Sequence, residues 1–301
     1  VTACFFVVDI SVAETFSHRS RSFDGSTVEL RCDFRETYPM TAKLFTVAAT
    51  AAVGALAVSA TAASAATIVA LQGGTTLTSI DSDKKKVTGS VKLDGGASLV
   101  GIDVRPKDGK VYGLAPDGTI VTVDAATGKW QKVSQLSEKL PAGATISVDF
   151  NPVADRMRIV TSTGVSLRVN VEDGKAAVDG SLKYADADAM KGKSPMVTAI
   201  AYSNSFAGTK ETAMYDIDAA AGVLVKQAPP NDGILNTIGS LGMKPDGAIA
   251  LDIMSDGKGG NTAFLMAGGT LHTLDLASGQ AKAIGPVAGL KGAVSDIAVL
   301  P

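Results

Sequence analysis

The sequence of 301 residues is poor in the side chains on which much enzyme chemistry rests: two cysteines, two histidines, one tryptophan and an aromatic content of 5%. Both cysteines (Cys4 and Cys32), His18 and six of the nine phenylalanines fall within the first 65 residues. The 236 residues that follow contain no cysteine and a single histidine, His272. Those absences exclude a disulfide scaffold, a Cys-ligated zinc or iron–sulfur site, a Cys nucleophile and a His-rich metal centre. The lack of a Gly-x-Ser-x-Gly segment and of a second histidine argues against a Ser-His-Asp hydrolase. A lone Trp130 cannot supply the stacking ring of a quinone-dependent enzyme, and no Gly-x-Gly-x-x-Gly follows a strand to cradle a nucleotide. The same 236 residues carry 23 Lys and Arg against 24 Asp and Glu, a net charge of −1. Their longest basic run is Lys84-Lys85-Lys86. Neither nucleic acid nor anionic lipid is therefore an expected partner.

What is present begins with a targeting pattern. Met40-Thr-Ala-Lys43 leads into an apolar stretch from Leu44 to Val58 and then to Ala63-Ser64-Ala65. A positive start, a short apolar centre and an A-x-A site read as a secretory signal peptide over 40–65, cut after Ala65. The apolar part is short and Ala-rich, a poor permanent membrane helix. The mature chain is thus expected in the periplasm or outside the cell, free of the membrane. Residues 1–39 read as an upstream extension created by a start site placed before Met40, or as a disordered segment.

After residue 66 the dominant signal is internal repetition. Leu99-Val-Gly-Ile-Asp-Val-Arg-Pro, Ile146-Ser-Val-Asp-Phe-Asn-Pro, Val197-Thr-Ala-Ile-Ala-Tyr and Ala248-Ile-Ala-Leu-Asp-Ile-Met each open a unit of short apolar strands and polar turns. Aligning Asp103, Asp149, Ala201, Asp252 and Asp296 gives steps of 46, 52, 51 and 44 residues. Each step accommodates four strands of about five residues with their turns. The first segment, Thr67–Gln72 and Thr76–Asp81, matches the second and third strands of the unit and lacks the first. The last, from Val294, matches only the first strand. One unit is therefore split between the termini, which predicts an all-β propeller, five blades favoured over six, closed by pairing of its terminal strands. The third unit permits two registers, because Pro229-Pro230-Asn231-Asp232-Gly233 is a strong turn signal at an unusual place. The Asp-x-x-x-Gly segments at Asp124, Asp218 and Asp275, with Asn170 as a fourth member, read as equivalent turns in which Gly supplies positive φ.

Several segments in fixed order, among them Leu99-Val-Gly-Ile-Asp-Val-Arg-Pro, Val148-Asp-Phe-Asn-Pro-Val-Ala-Asp-Arg-Met-Arg, Leu167-Arg-Val-Asn, Tyr202-Ser-Asn-Ser-Phe-Ala-Gly and Ala228-Pro-Pro-Asn-Asp-Gly, resemble domain-of-unknown-function family 4394. The resemblance covers residues 66–301 and implies a bacterial secreted or periplasmic protein. Ala228 departs from the family, whose members tend to carry Asn before the two prolines. The family brings no activity with it.

Two constellations carry candidate chemistry. Asp103, Asp149, Asp252 and Asp296 recur at one position of the first strand, with Ala201 breaking the series. At the mouth of a central channel they could hold Ca²⁺ or another hard cation. The structural alternative has each carboxylate accepting backbone N–H groups and fixing blade geometry. The second constellation is Asn151, Arg156, Arg158, Arg168 and Asn170. Arg156 and Arg158, two apart on a strand, share a face and could clamp a carboxylate or phosphate. The alternative pairs them with Asp149 and Asp155 in an ion network between blades. His272 falls on a packing face, as a core histidine. No cofactor beyond a Ca²⁺-type ion is expected. The reading is a monomeric, non-enzymatic module binding a small molecule, glycan or protein, with a divalent-cation-dependent, lactonase-like hydrolase as the alternative.

Overall fold

The computed structural model describes residues 65–245 and 247–301. The expected signal peptide, apart from Ala65, and segment 1–39 lie outside the described residues. No helix among the described residues is long and apolar enough to cross a membrane.

The strands form five antiparallel sheets, each one blade. Blade II is Gly101–Val104, Val111–Leu114, Thr119–Val123 and Trp130–Gln135; blade III is Ile146–Asn151, Arg156–Thr161, Ser166–Val169 and Ala176–Val178. Blade IV runs Val197–Tyr202, Met214–Asp218, Val223–Gln227 and Ile234–Ser240, with the short Lys183–Tyr184 strand added in parallel outside it. Blade V is Ile249–Ser255, Asn261–Ala267, Thr270–Leu274 and Ala281–Pro286. Blade I joins the termini: Val294–Leu300 is the inner strand, followed by Thr67–Gln72, Thr76–Asp81 and Lys86–Lys92. In that closing pair Ile68 stands opposite Val299 and Leu71 opposite Asp296. The inner strands neighbour one another in the order I, II, III, IV, V and back to I, so the ring is closed. The fold is a five-bladed β-propeller, and six blades are excluded.

Burial explains why the repeat reads as it does. The inner strand Ile146–Phe150 is buried on both faces because it lies between neighbouring blades, whereas the outer strand Lys86–Lys92 is exposed at most positions. The apolar core divides into five clusters, one in each gap between blades. The gap between II and III holds Tyr112, Leu114, Phe150, Met157 and Ile159; that between IV and V holds Ile217, Leu224, Leu251 and Leu265. A sheet that must hide both faces stabilises itself by stacking on its neighbours, so the blades depend on one another.

The third unit resolves in one register and corrects one expected equivalence. The turns starting at Asp124, Asn170 and Asp275 join the third strand to the outer strand, but Asp218–Gly222 joins the second to the third. In blade IV the outer turn is Ala228–Gly233, containing a cis Ala228–Pro229 peptide. The role of the turn is kept. Gly174 has φ +74°, and a Cβ there would stand 1.9 Å from the Gln135 carbonyl of the preceding blade. Gly233 has φ +68° and presses in the same way on Gly180 and Ser181, in the segment that follows the outer strand of blade III. Only glycine permits both the handedness and the approach.

Candidate functional site

The recurrent aspartates sit on the inner strands, all but fully buried. Asp296 of blade I accepts from Ile102 N of blade II at 3.0 Å, and Asp103 of blade II accepts from Phe150 N of blade III at 2.7 Å. Asp149 of blade III accepts from Tyr202 N of blade IV at 3.1 Å, and Asp252 of blade V accepts from Val299 N of blade I at 2.6 Å. Each carboxyl group thus clasps the next blade by accepting a backbone N–H. Asp103, Asp252 and Asp296 also accept the N–H of their own following residue. The clasp is missing between IV and V, where Ala201 stands. There a reciprocal pair bridges the blades: Asn204 N donates to Asn261 Oδ1, and Asn261 Nδ2 donates to Asn204 Oδ1, both at 2.8 Å.

The same geometry draws carboxylates together. One oxygen each from Asp103, Asp149 and Asp252 lies within 4.8 Å of the others; Asp296 is not part of this set. Among the described residues Asp149 Oδ2 takes no hydrogen bond, while the other seven oxygens of the four aspartates do. Burial, and then repulsion from Asp252, pushes Asp103 well above the usual carboxylate range; burial, then Asp103 and Asp252, does the same to Asp149. Burial raises Asp252 to about 6 and Asp296 well above its ordinary value. Three acids so placed cannot all ionise without a compensating positive charge. Two oxygens on one Ca²⁺ stand at most about 5 Å apart, so the triad fits a hard cation. Beside it opens a cavity of about 160 Å³ at the channel mouth, where Asp103 and Asp252 meet Pro106, Phe206, Met254 and Pro301. The mouth loop Ser203–Ala213, which carries Phe206, was not singled out as lining a site from sequence; its polar run gave no periodicity to place it.

The arginines lie elsewhere. Arg158 is 1% exposed, and its guanidinium donates to Tyr202 Oη, Ser166 Oγ, Asp179 and Asn231 Oδ1. Arg168, opposite it in the ladder, holds Asp179 through Nε and Nη2 at 2.8–3.0 Å. The carboxylate that pairs with both is therefore Asp179, and neither Asp149 nor Asp155. Arg156 turns back onto the carbonyls of Ala154 and Asp155, apart from the partners of Arg158. Asp155 is held across the blade boundary by Arg105, in a two-pronged pair at 2.6 and 2.7 Å, and by Lys107 at 3.1 Å. Asn151 and Asn170 cap their own turns, through Val153 N and Ala154 N and through Glu172 N. His272 is buried in blade V with Nδ1 3.1 Å from the Thr270 carbonyl.

Fold and site together define a five-bladed propeller with an acid triad in its channel. The family described as Domain of unknown function (DUF4394) matches residues 76–298. The chain belongs to that family. No curated protein matches it. Among solved structures it is similar to a protein of unknown function from Bacteroides caccae, at 15% identity over 74% of this chain and 73% of that one, with a TM-score of 0.40. It is also similar to one from Bacteroides thetaiotaomicron VPI-5482, at 16% identity, 79% and 65% coverage and a TM-score of 0.47. An auxiliary nutrient binding protein from the same Bacteroides strain is similar at 12% identity, 65% and 55% coverage and a TM-score of 0.41. The chain spans 73% and 65% of the first two proteins, and these likenesses carry no assignment of function.

Proposed function

We propose that the protein is a binding module of the periplasm or cell exterior, in which Asp103, Asp149 and Asp252 hold a hard divalent cation of the calcium type. The cavity at the channel mouth is where a small ligand reaches that cation. The observation that carries this reading is the convergence of three buried carboxylates from three blades, with Asp149 Oδ2 unpartnered, beside an opening to solvent. A cation replaces the protons that burial otherwise forces onto the triad, and takes its remaining oxygens from water or ligand.

The test is metal analysis of the purified protein and its thermal unfolding with Ca²⁺ and with EDTA. A cation at 100 times its dissociation constant stabilises by about 2.7 kcal/mol, which for a domain of this size raises Tm by about 5–10 °C. The shift is lost in Asp149→Asn. Absence of both metal and shift in the wild type removes the cation site. Cation-dependent turnover of a lactone by the loaded protein, lost in the same variant, would replace the binding module by a hydrolase.

A further inference from the structure

In a repeat protein the features common to all blades build the fold, and those that one blade has alone are free to serve recognition. Blade II departs from the others at two places. At the outer-strand position opposite the end of the third strand it carries Trp130, paired with Val123, where the other blades carry Lys86, Ala176, Leu235 and Ala281. Its hairpin between second and third strands is Ala115-Pro116-Asp117-Gly118, the one such hairpin with a charged residue; the others are Gly73–Thr75, Ser162–Val165, Ala219–Gly222 and Gly268–Gly269.

These two departures line the same cavity. It measures about 360 Å³ and lies between blade II and the linker that enters it from blade I. Leu93, Leu99, Val121 and Val123 form its apolar floor, Trp130 one wall and Asp117 the rim. Leu99 reaches its place because Gly113 has no side chain; a Cβ there would come within 2.7 Å of Leu99 Cδ1. The indole is 38% exposed, and its N–H already donates to the Asp94 carbonyl at 3.0 Å. Its orientation is thereby fixed, and it asks a ligand for stacking rather than a hydrogen bond. Asp117 is the one charged residue among those lining the cavity. Its carboxylate accepts Thr119 N at 2.9 Å, which favours the ionised form. Lys132, a cation whose charge acts on Asp117, donates its Nζ to Gln135 at 2.9 Å.

We infer that this cavity is a second binding site, independent of the channel, for a small molecule with an apolar or aromatic body and a protonated amine. A cavity of about 150 Å³ already takes a benzene ring, so this one has room for a ring and a short chain. The ring enters the floor against Trp130, and the ammonium meets the Asp117 carboxylate at the rim.

Trp130 is the only tryptophan of the chain, so its fluorescence reports on this site alone. The probes are 4-phenylbutylamine, 4-phenylbutanol and 4-phenylbutyrate, one skeleton with three charges. The expected result is a saturable change in emission, with the amine binding at least about threefold tighter than the alcohol and the carboxylate weakest. That preference disappears in Asp117→Asn, and binding of all three is lost in Ala97→Phe, which fills the cavity. If Ala97→Phe does not fold, Trp130→Lys, which places in blade II the residue blade I carries, is measured by calorimetry and loses the amine. No saturable change with any probe, equal affinity for all three, or amine binding that survives both the filled cavity and the lost indole would each overturn the site.

Discussion

Asp216 shows how much a single buried acid depends on its proton. It lies on the second strand of blade IV, fully buried, and neither of its oxygens has a hydrogen-bond partner among the described residues. On the same sheet face Gln227 Oε1 is also unpartnered. Arg158 lies close enough to favour the charge, but four of its five N–H donors go to Asp179, Asn231, Ser166 and Tyr202, and burial pushes Asp216 well above the usual carboxylate range. A folded-state value above the unfolded one contributes stability at low pH that is lost as pH rises through the folded value. The Asp216→Asn variant removes that titration. It should match the wild type near pH 4 and exceed it by about 1–3 kcal/mol at pH 8, measured by urea unfolding across that range. Asp252 follows the same sign in chelated protein. Its carboxyl ionises near 3.8 when unfolded and at about 6 when folded, so Tm in EDTA should fall between those values and recover when Ca²⁺ is added. A Tm in EDTA that rises from pH 4 to 6 would show these acids to be ionised and compensated. The burial of Asp216 was not legible in the sequence, where it was one residue of an ambiguous unit.

At the scale of the element, the outer turns decide how blades meet. A Gly174→Ala substitution adds a Cβ 1.9 Å from the Gln135 carbonyl at a φ of +74°, so both strain and collision act. It is expected to cost more than about 2 kcal/mol. Gly109, with φ +68° but nothing within 4 Å of an added Cβ, should lose only about 1 kcal/mol in the same change. Denaturant midpoints of the two variants compare them directly, and equal losses would mean that the turn does not bear on its neighbour. The glycines were visible as turn signals because handedness is a local demand. Which blade each turn leans on was not visible, and this is why Asp218–Gly222 was grouped with the wrong turns. Its spacing is the same, but it serves the hairpin between the second and third strands. The arginines illustrate the same limit. Arg158 and Arg168 were identified as a polar cluster, yet their partner Asp179 comes from beyond the outer strand, and only the folded sheet brings it back.

For the whole molecule, closure rests on one terminal strand. Val294–Leu300 supplies the inner strand of blade I, places Asp296 on Ile102 and receives the Asp252 clasp at Val299. A chain ending at Ala293 leaves the gaps on both sides of blade I without Ile297, Ala298 and Val299. It should lose cooperative unfolding and aggregate, as seen by circular dichroism and light scattering; a monomer with an intact cooperative transition would show that closure is dispensable. The sequence by itself determined the class of fold, the number of repeats and the split blade. Those follow from strand periodicity, repeat spacing and which strands each end lacks, all of which are carried by order along the chain. It also marked the four inner aspartates, since repetition exposes them. Only the tertiary structure decided that three of the four converge within 4.8 Å while Asp296 stands outside, that Arg158 is enclosed, and that Trp130 and Asp117 share a cavity. Convergence depends on how five separately pleated sheets are rotated about one axis, and residues 46 to 149 positions apart carry no local signal of that rotation.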